Sequence, residues 1–324
     1  MPIRCRLIVA AVALWSGCGS AAQAEPLRIG YLTWVGFGPF FVAQEKGFFA
    51  EEGIEVELID MGVHEALYAG LFAGQVDVMV ATVDDLLPRY DREDPYVCVM
   101  AIDESLGGDG ILATNDIQSI ADLKGKVVGR AETTVSQFFL NVLLKDAGLS
   151  EADIKPVELG AEDAGNAFLM QEIDAAVTWE PFLTQGRQSE HGHILADSSQ
   201  TPGLIVDCLL VKTGVFEERL ADFQALARGW DAAVQYVEAH PEEAHEIMAR
   251  GVGGWLEDSA VFAETLQGVR FTDSERNREL FGTPDDPGQI YQTSQYAIDI
   301  WISLGMLDLD LTPADVIRHD LWVE

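Results

Sequence analysis

The sequence predicts an α/β protein made of two doubly wound lobes joined by a two-strand hinge. Three observations carry that expectation. From Leu27 onward, short β-rich runs alternate with helix-like runs, the order expected of a parallel sheet covered on both faces. The alternation then restarts, so that about residues 113–207 read as a second α/β unit inserted into the first. Two apolar stretches, "DGILATND" and "IVDCLLVK", flank the insertion, and an inserted unit needs two such crossings, which together make a hinge. Lobe 1 is therefore expected over residues 25–112 plus 208–324 and lobe 2 over residues 113–207, with a cleft between them. At 324 residues the chain has ample length for two cores.

The elements follow in order. "LRIGYL" is a strand, and "PFFVAQEKGFF" a helix with Pro39 in its first turn and Gly47 near its end. "IEVELID" alternates apolar and acidic residues, as a strand with one buried face does. "HEALYAGLFAG" is helical, "VDVMVA" a buried strand, "DDLLPRY" a short helix and "YVCVMAI" a strand. In the second unit "KGKVVGR", "IKPVEL" and "DAAVTW" are strands, each followed by a helix: "TTVSQFFLNVLLKDAG", "AGNAFLMQ" and "EPFLTQGRQ". "GLIVDCLLVKTG" is a strongly apolar strand, after which the chain reads as helical to its end.

Residues 1–24 read as an export signal: a basic head, an apolar run too short to span a bilayer, and the A-x-A site of "AAQA" before Glu25. The alternative is a lipoprotein start, in which "WSGC" makes Cys18 a lipidated N-terminus. Either places the product outside the cytoplasm, in a periplasm or at a cell surface. Cys98 and Cys208 lie in strand-like runs, as buried free thiols or as one disulfide between neighbouring strands. Acidic residues number 54 against 20 basic ones, for a net charge of −34. That balance argues against nucleic acid or anionic lipid as partners and resembles adaptation to high salt.

Four loops follow lobe strands and are expected to face the cleft. "TWVGFGP" carries Trp34, "ATVDD" ends in Asp84 and Asp85 at a helix start, "RAETTVSQ" carries Thr134 and Ser136 at the start of a long helix, and "TWEPF" carries Trp179 and Glu180. Hydroxyls and free N–H groups at a helix start suit a ligand oxygen, and one tryptophan from each lobe suits a small organic body. Each has a plainer alternative: Asp84, Thr134 and Ser136 as helix caps, Trp179 as a core aromatic. Asp207 interrupts an otherwise apolar strand, and a buried carboxylate needs a cationic or hydrogen-bonding partner. That partner is either a ligand ammonium or guanidinium, or an internal arginine.

Enzymatic readings find no support. The sequence has no G-x-S-x-G elbow, no H-E-x-x-H and no G-x-x-x-x-G-K phosphate loop. "GFG" at 36–38 lacks the third glycine of a dinucleotide site, and "HGH" at 191–193 sits in what reads as a polar loop without further metal ligands. No catalytic residue, metal or cofactor is expected.

"LRIGYLTWVGFGPFFVAQEKGFFAEEGIEVEL", "GDGILATNDIQSIADLKGKVVG", "DAAVTWEPFL" and "TPGLIVDCLLVK" resemble, in order, the blocks of periplasmic solute-binding proteins of the nitrate/sulfonate/taurine and thiamine-precursor (NMT1/THI5-like) group. The resemblance spans essentially the whole mature chain. It implies a type II periplasmic binding-protein fold and a monomer that delivers a small solute to the permease and ATPase of an ATP-binding-cassette importer. The taurine binder is the analogy most similar in its residues: Thr134 and Ser136 match its oxygen-binding helix start, Trp179 a tryptophan, and Asp207 an aspartate that meets the ligand amine. "VDD" stands where that protein has two serines, and Glu180 replaces a small residue. These added carboxylates shift the expected ligand toward positive charge, and only Arg130 is a nearby base, so a bare anion is not expected. The expected ligand is a small amine-bearing solute, either a taurine-like zwitterion or a cationic amine or guanidine compound. A pyrimidine or sulfonate ligand, a pyrimidine-synthase-like enzyme (whose Cys-rich motif is missing) and a ligand-presenting sensor are the alternatives.

Overall fold

In the computed structural model, residues 25–322 are described, so the leader and Cys18 lie outside the described residues. The strands are β1 (Leu27–Tyr31), β2 (Val56–Asp60), β3 (Val78–Thr82), β4 (Tyr96–Ser105), β5 (Asp109–Thr114), β6 (Val127–Arg130), β7 (Lys155–Glu158), β8 (Ala175–Trp179), β9 (Gly192–Asp197), β10 (Val206–Lys212) and β11 (Val269–Phe271). They form one sheet in the order β11-β4-β10-β3-β1-β2 and a second in the order β7-β6-β8-β5-β9. Both are mixed rather than purely parallel. β1 runs parallel to β2 and β3, and β6 parallel to β7 and β8, whereas β10 and β5, the strands at the crossings, run antiparallel to their neighbours.

Three expectations change on this frame. β5 lies wholly in the second sheet, which takes residues 109–197, so a border at 113 would cut through a strand. An apolar run marks a buried strand without saying which sheet it joins; here Gly107, at φ +125°, falls just before β5 where the chain changes sheets. "GHILAD", which takes in all of "HGH" but His191, forms β9 rather than a loop, paired with β5 at the edge of the sheet, where polar residues are tolerated. The helical C-terminal part contains β11, three residues long and paired with β4, too short for periodicity to show. Cys98 and Cys208 are both free and buried.

Helices Leu220–Ala239 and Pro241–Val252 pack on the first helix, Gly38–Lys46. The long helix of the second sheet's layer, Val135–Asp146, is buried along most of its length and meets helix Gln289–Ser303, with Phe138 and Trp301 rings 6.4 Å apart. That contact crosses from one lobe to the other. So do the hydrogen bonds from Trp255 Nε1 to Glu162 (3.1 Å) and from Arg89 to the Thr133 carbonyl (2.9 Å). No helix among the described residues is long and apolar enough to cross a membrane.

Candidate functional site

Three adjacent strands bring the site together. Asp207, second in β10, is the register partner of Thr82 at the end of β3 on one side and of Asp103 in β4 on the other. Cross-strand partners project from the same face. The row Asp103–Asp207–Thr82 therefore looks out of the sheet edge toward the second lobe, and a cavity of about 50 Å³ opens on it. Such a volume holds roughly three or four waters. Its walls include Leu32, Thr33, Trp34, Phe37, His64, Asp85, Asp109, Val135, Trp179 and Ile205, with Thr82 and Asp207 themselves.

The wall carries three carboxylates, Asp85, Asp109 and Asp207, and among the described residues no lysine or arginine lines it. Burial raises the Asp207 carboxyl well above its ordinary value, and the charges of Asp103, Asp109 and Asp85 raise it further. Asp103 is pushed up to about 8, by burial first, against the opposing effect of the Trp34 indole. Asp109 rises to about 6 through burial, opposed by the Ser105 hydroxyl. Asp85 is raised by burial too, with the charges of His64 and Arg89 pulling the other way. Desolvation and neighbouring like charge favour the neutral form of a carboxyl, and a positive charge beside it favours the ionised form. Asp85 Oδ1 and Thr82 Oγ1 are buried without a hydrogen bond of ordinary length and angle, as is the nearby Tyr68 hydroxyl.

Trp34 is both tucked under its turn and part of the cavity wall; only 7% of it is exposed. Its indole N–H donates to Asp103 at 3.2 Å (Oδ2) and 3.4 Å (Oδ1). Gly36 makes room for that bond: a Cβ there would sit 1.9 Å from Asp103 Oδ2 and 2.5 Å from Trp34 Nε1. From the other lobe, Trp179 approaches Trp34 edge-on at 6.5 Å and the His64 ring at 6.4 Å. The Trp179 indole N–H has no hydrogen-bond partner among the described residues.

Trp34, Trp179 and Asp207 thus share one cavity, and the other expected residues do not. Asp84 is fully buried, neither carboxylate oxygen having a hydrogen bond of ordinary length and angle, and it does not line the cavity; its neighbour Asp85, whose N–H bonds back to the Thr82 carbonyl, does. Thr134 caps helix Val135–Asp146, its hydroxyl accepting from Ser136 N–H and donating to the Ala131 carbonyl, and it lines only an outer chamber that also holds Glu65, Glu132 and Glu162. Ser136 is buried in that helix and lines neither space. Glu180 turns to Thr184, whose N–H and hydroxyl donate to it at 2.9 Å each. Arg130 is spent on Glu151 and Glu158. The sequence does not single out Asp103, Asp109 or His64, and it offers Asp85 only as the neighbour of Asp84 at a helix start. Asp103 had a legible signal, since it interrupts an apolar strand just as Asp207 does.

A family model described as NMT1/THI5 like matches residues 34–244. The chain belongs to the NMT1/THI5-like family. A protein of Bacillus subtilis with a provisional designation as an aliphatic sulfonates-binding protein is 26% identical over 253 residues, 74% of this chain and 76% of that one. The periplasmic aliphatic sulphonate binding protein SsuA of Escherichia coli superposes with a TM-score of 0.72 at 18% identity, covering 93% of this chain and 99% of that chain. The periplasmic nitrate-binding protein NrtA of Synechocystis PCC 6803 superposes with a TM-score of 0.69 at 16% identity, covering 92% and 87%. This NMT1/THI5-like chain has the periplasmic binding-protein fold, and its neighbours are binding proteins rather than enzymes.

Proposed function

We propose that the protein is the extracytoplasmic solute-binding component of an ATP-binding-cassette importer and captures a small amine-bearing organic solute between its lobes. The observation that carries the ligand class is Asp207: it is 7% exposed, it lies in the cavity wall, and the charged groups acting on it are other carboxylates. A buried charge with no partner is costly, whereas an ammonium or guanidinium beside it removes most of that cost. Trp34 and Trp179 supply π faces for the same cation. Family membership supports the transport role, with a membrane permease and its ATPase as partners.

A sulfonate ligand is the second reading. It draws on the names of the relatives and on the unpaired Trp179 N–H, a donor suited to one oxyanion. Against it stands the absence of lysine and arginine from the described wall and the presence of three carboxylates in it. A thermal-shift screen of amines, guanidines, aminosulfonates, plain sulfonates and pyrimidines separates the two. Amines or guanidines are expected to raise the melting temperature, by the equivalent of about 2.7 kcal/mol at a hundredfold excess over Kd. Stabilisation by plain alkanesulfonates, with amines inert, would overturn the amine reading.

A further inference from the structure

The amine reading accounts for only one end of the cavity. Asp207 sits with Asp103 and Asp109 at the hinge end. Asp85 lies on the far side of Thr82, one tight turn beyond the end of β3, with Asp84 directly behind it. A single ammonium at Asp207 leaves Asp85 Oδ1 and Thr82 Oγ1 buried and unmatched. The neighbouring cation, Arg89, acts on Asp85 through its charge but makes no hydrogen bond to its carboxylate. Arg89 stacks on the Tyr68 ring at 3.9 Å and spends its N–H groups on the Asp85 carbonyl (3.1 Å), the Thr133 carbonyl (2.9 Å) and the Thr133 hydroxyl (2.5 Å), none of them the Asp85 carboxylate.

An anionic tail at this end fares worse. The helix start where a ligand oxygen would be sought is faced by the protein's own carboxylate: the Val135 N–H helps to hold the charge of Asp85. A sulfonate there would meet Asp85 in a space without lysine or arginine among its described lining.

We propose that the ligand is a short organic dication, a diamine or guanidino-amine, whose first positive group pairs with Asp207 and whose second is read by Asp85 beside the Thr82 hydroxyl. The proposal rests on the amine reading and narrows it. Neighbouring strands lie about 4.8 Å apart, and Asp85 is one turn beyond Thr82, which suits roughly three to five carbons between the charges. The apolar side chains of Val80, Ala81 and Ile205 and the faces of the two tryptophans are left for those carbons.

Titration calorimetry on the mature chain tests this with 1,3-diaminopropane, 1,4-diaminobutane and agmatine against n-propylamine, n-butylamine and 3-aminopropanesulfonate. At least one dication is expected to bind about tenfold or more tighter than the monoamine of equal length. In Asp85→Asn that ratio is expected to fall to about one. The proposal is overturned if a monoamine or the aminosulfonate binds as tightly as the dications, or if the ratio persists in Asp85→Asn. The wild-type ratio stands as a test even if the variant fails to fold. Binding of no amine at all would instead sink the underlying amine reading, and this proposal with it.

Discussion

Asp103 and Glu104 are consecutive residues of β4, almost equally buried at 0% and 1% exposure, and the protein treats them in opposite ways. Successive residues of a strand face opposite sides of the sheet. On one side Glu104 receives Arg270 at 2.6 Å and Arg276 at 2.8 Å. Burial pushes its carboxyl up, but the hydrogen bonds and charges of the two arginines outweigh burial and hold it below the ordinary value. On the other side Asp103 has an indole N–H and the neighbouring Asp207, and rises to about 8. An arginine pair for a buried carboxylate is therefore within this fold's means. It is supplied behind the sheet and withheld at the cleft, which is where a bound cation would take the arginines' place.

The largest expected effects come from removing one carboxylate of each kind. Asp207→Ala should weaken amine binding at least about a hundredfold while leaving the fold intact, because it removes the ligand's charge partner and relieves like-charge crowding. Glu104→Ala should do the reverse, lowering stability by about 2–3 kcal/mol with affinity unchanged, since it breaks a hydrogen-bonded pair on the far side of the sheet. Calorimetry and thermal melts on both variants check the pair. Asp207→Ala binding within threefold of wild type would break the comparison.

Acidity should separate the two sides next. Asp103 has a folded-state value near 8 against an ordinary 3.8, so its native form binds the proton more tightly. Its contribution to stability is complete below about pH 4 and is lost as pH rises through 8. Asp207 shifts in the same direction, and Asp109 does so through about 6. Glu104 has the opposite sign: its stability is present above its ordinary 4.5 and lost as pH falls. The empty protein should therefore lose stability between pH 5 and 8, by up to about 1.4 kcal/mol per pH unit for each proton involved. Amine affinity should rise over the same range, because the cation binds the deprotonated site. Melting curves with and without ligand across that range read both trends. A flat apo profile with affinity falling toward pH 8 would contradict them.

Much of this architecture is legible in the sequence because it rests on local periodicity. The alternating strands, the helix Val135–Asp146 and the acidic interruption at Asp207 are all visible in runs of ten or so residues. The sheet to which β5 belongs is not, since pairing partners are set by contacts far along the chain. The same limit governs the site. Asp84 and Asp85 are adjacent and alike in residue type, and only the second reaches the cavity. Thr134 and Ser136 look like an oxyanion site by residue type, but Thr134 is consumed as a cap and Asp85 approaches the helix start from the other lobe. Residue chemistry narrowed the choice, and geometry made it.

The smallest expected effect sharpens the comparison most, because it concerns a carboxylate beside the cleft that the protein itself has matched. Glu180 directly follows the cavity residue Trp179 yet accepts hydrogen bonds from the Thr184 N–H and hydroxyl in the first turn of helix Phe182–Gln188. Burial raises its carboxyl, with the two Thr184 hydrogen bonds opposing. Glu180→Gln keeps one acceptor oxygen and should cost about 1 kcal/mol or less in stability. Amine affinity should stay within about twofold, since the side chain does not line the cavity. A tenfold loss of affinity would mean that a carboxylate already satisfied by Thr184 still acts on the ligand. The division between matched and waiting carboxylates would then fail to identify the binding groups, and Asp207 would lose its special standing among them.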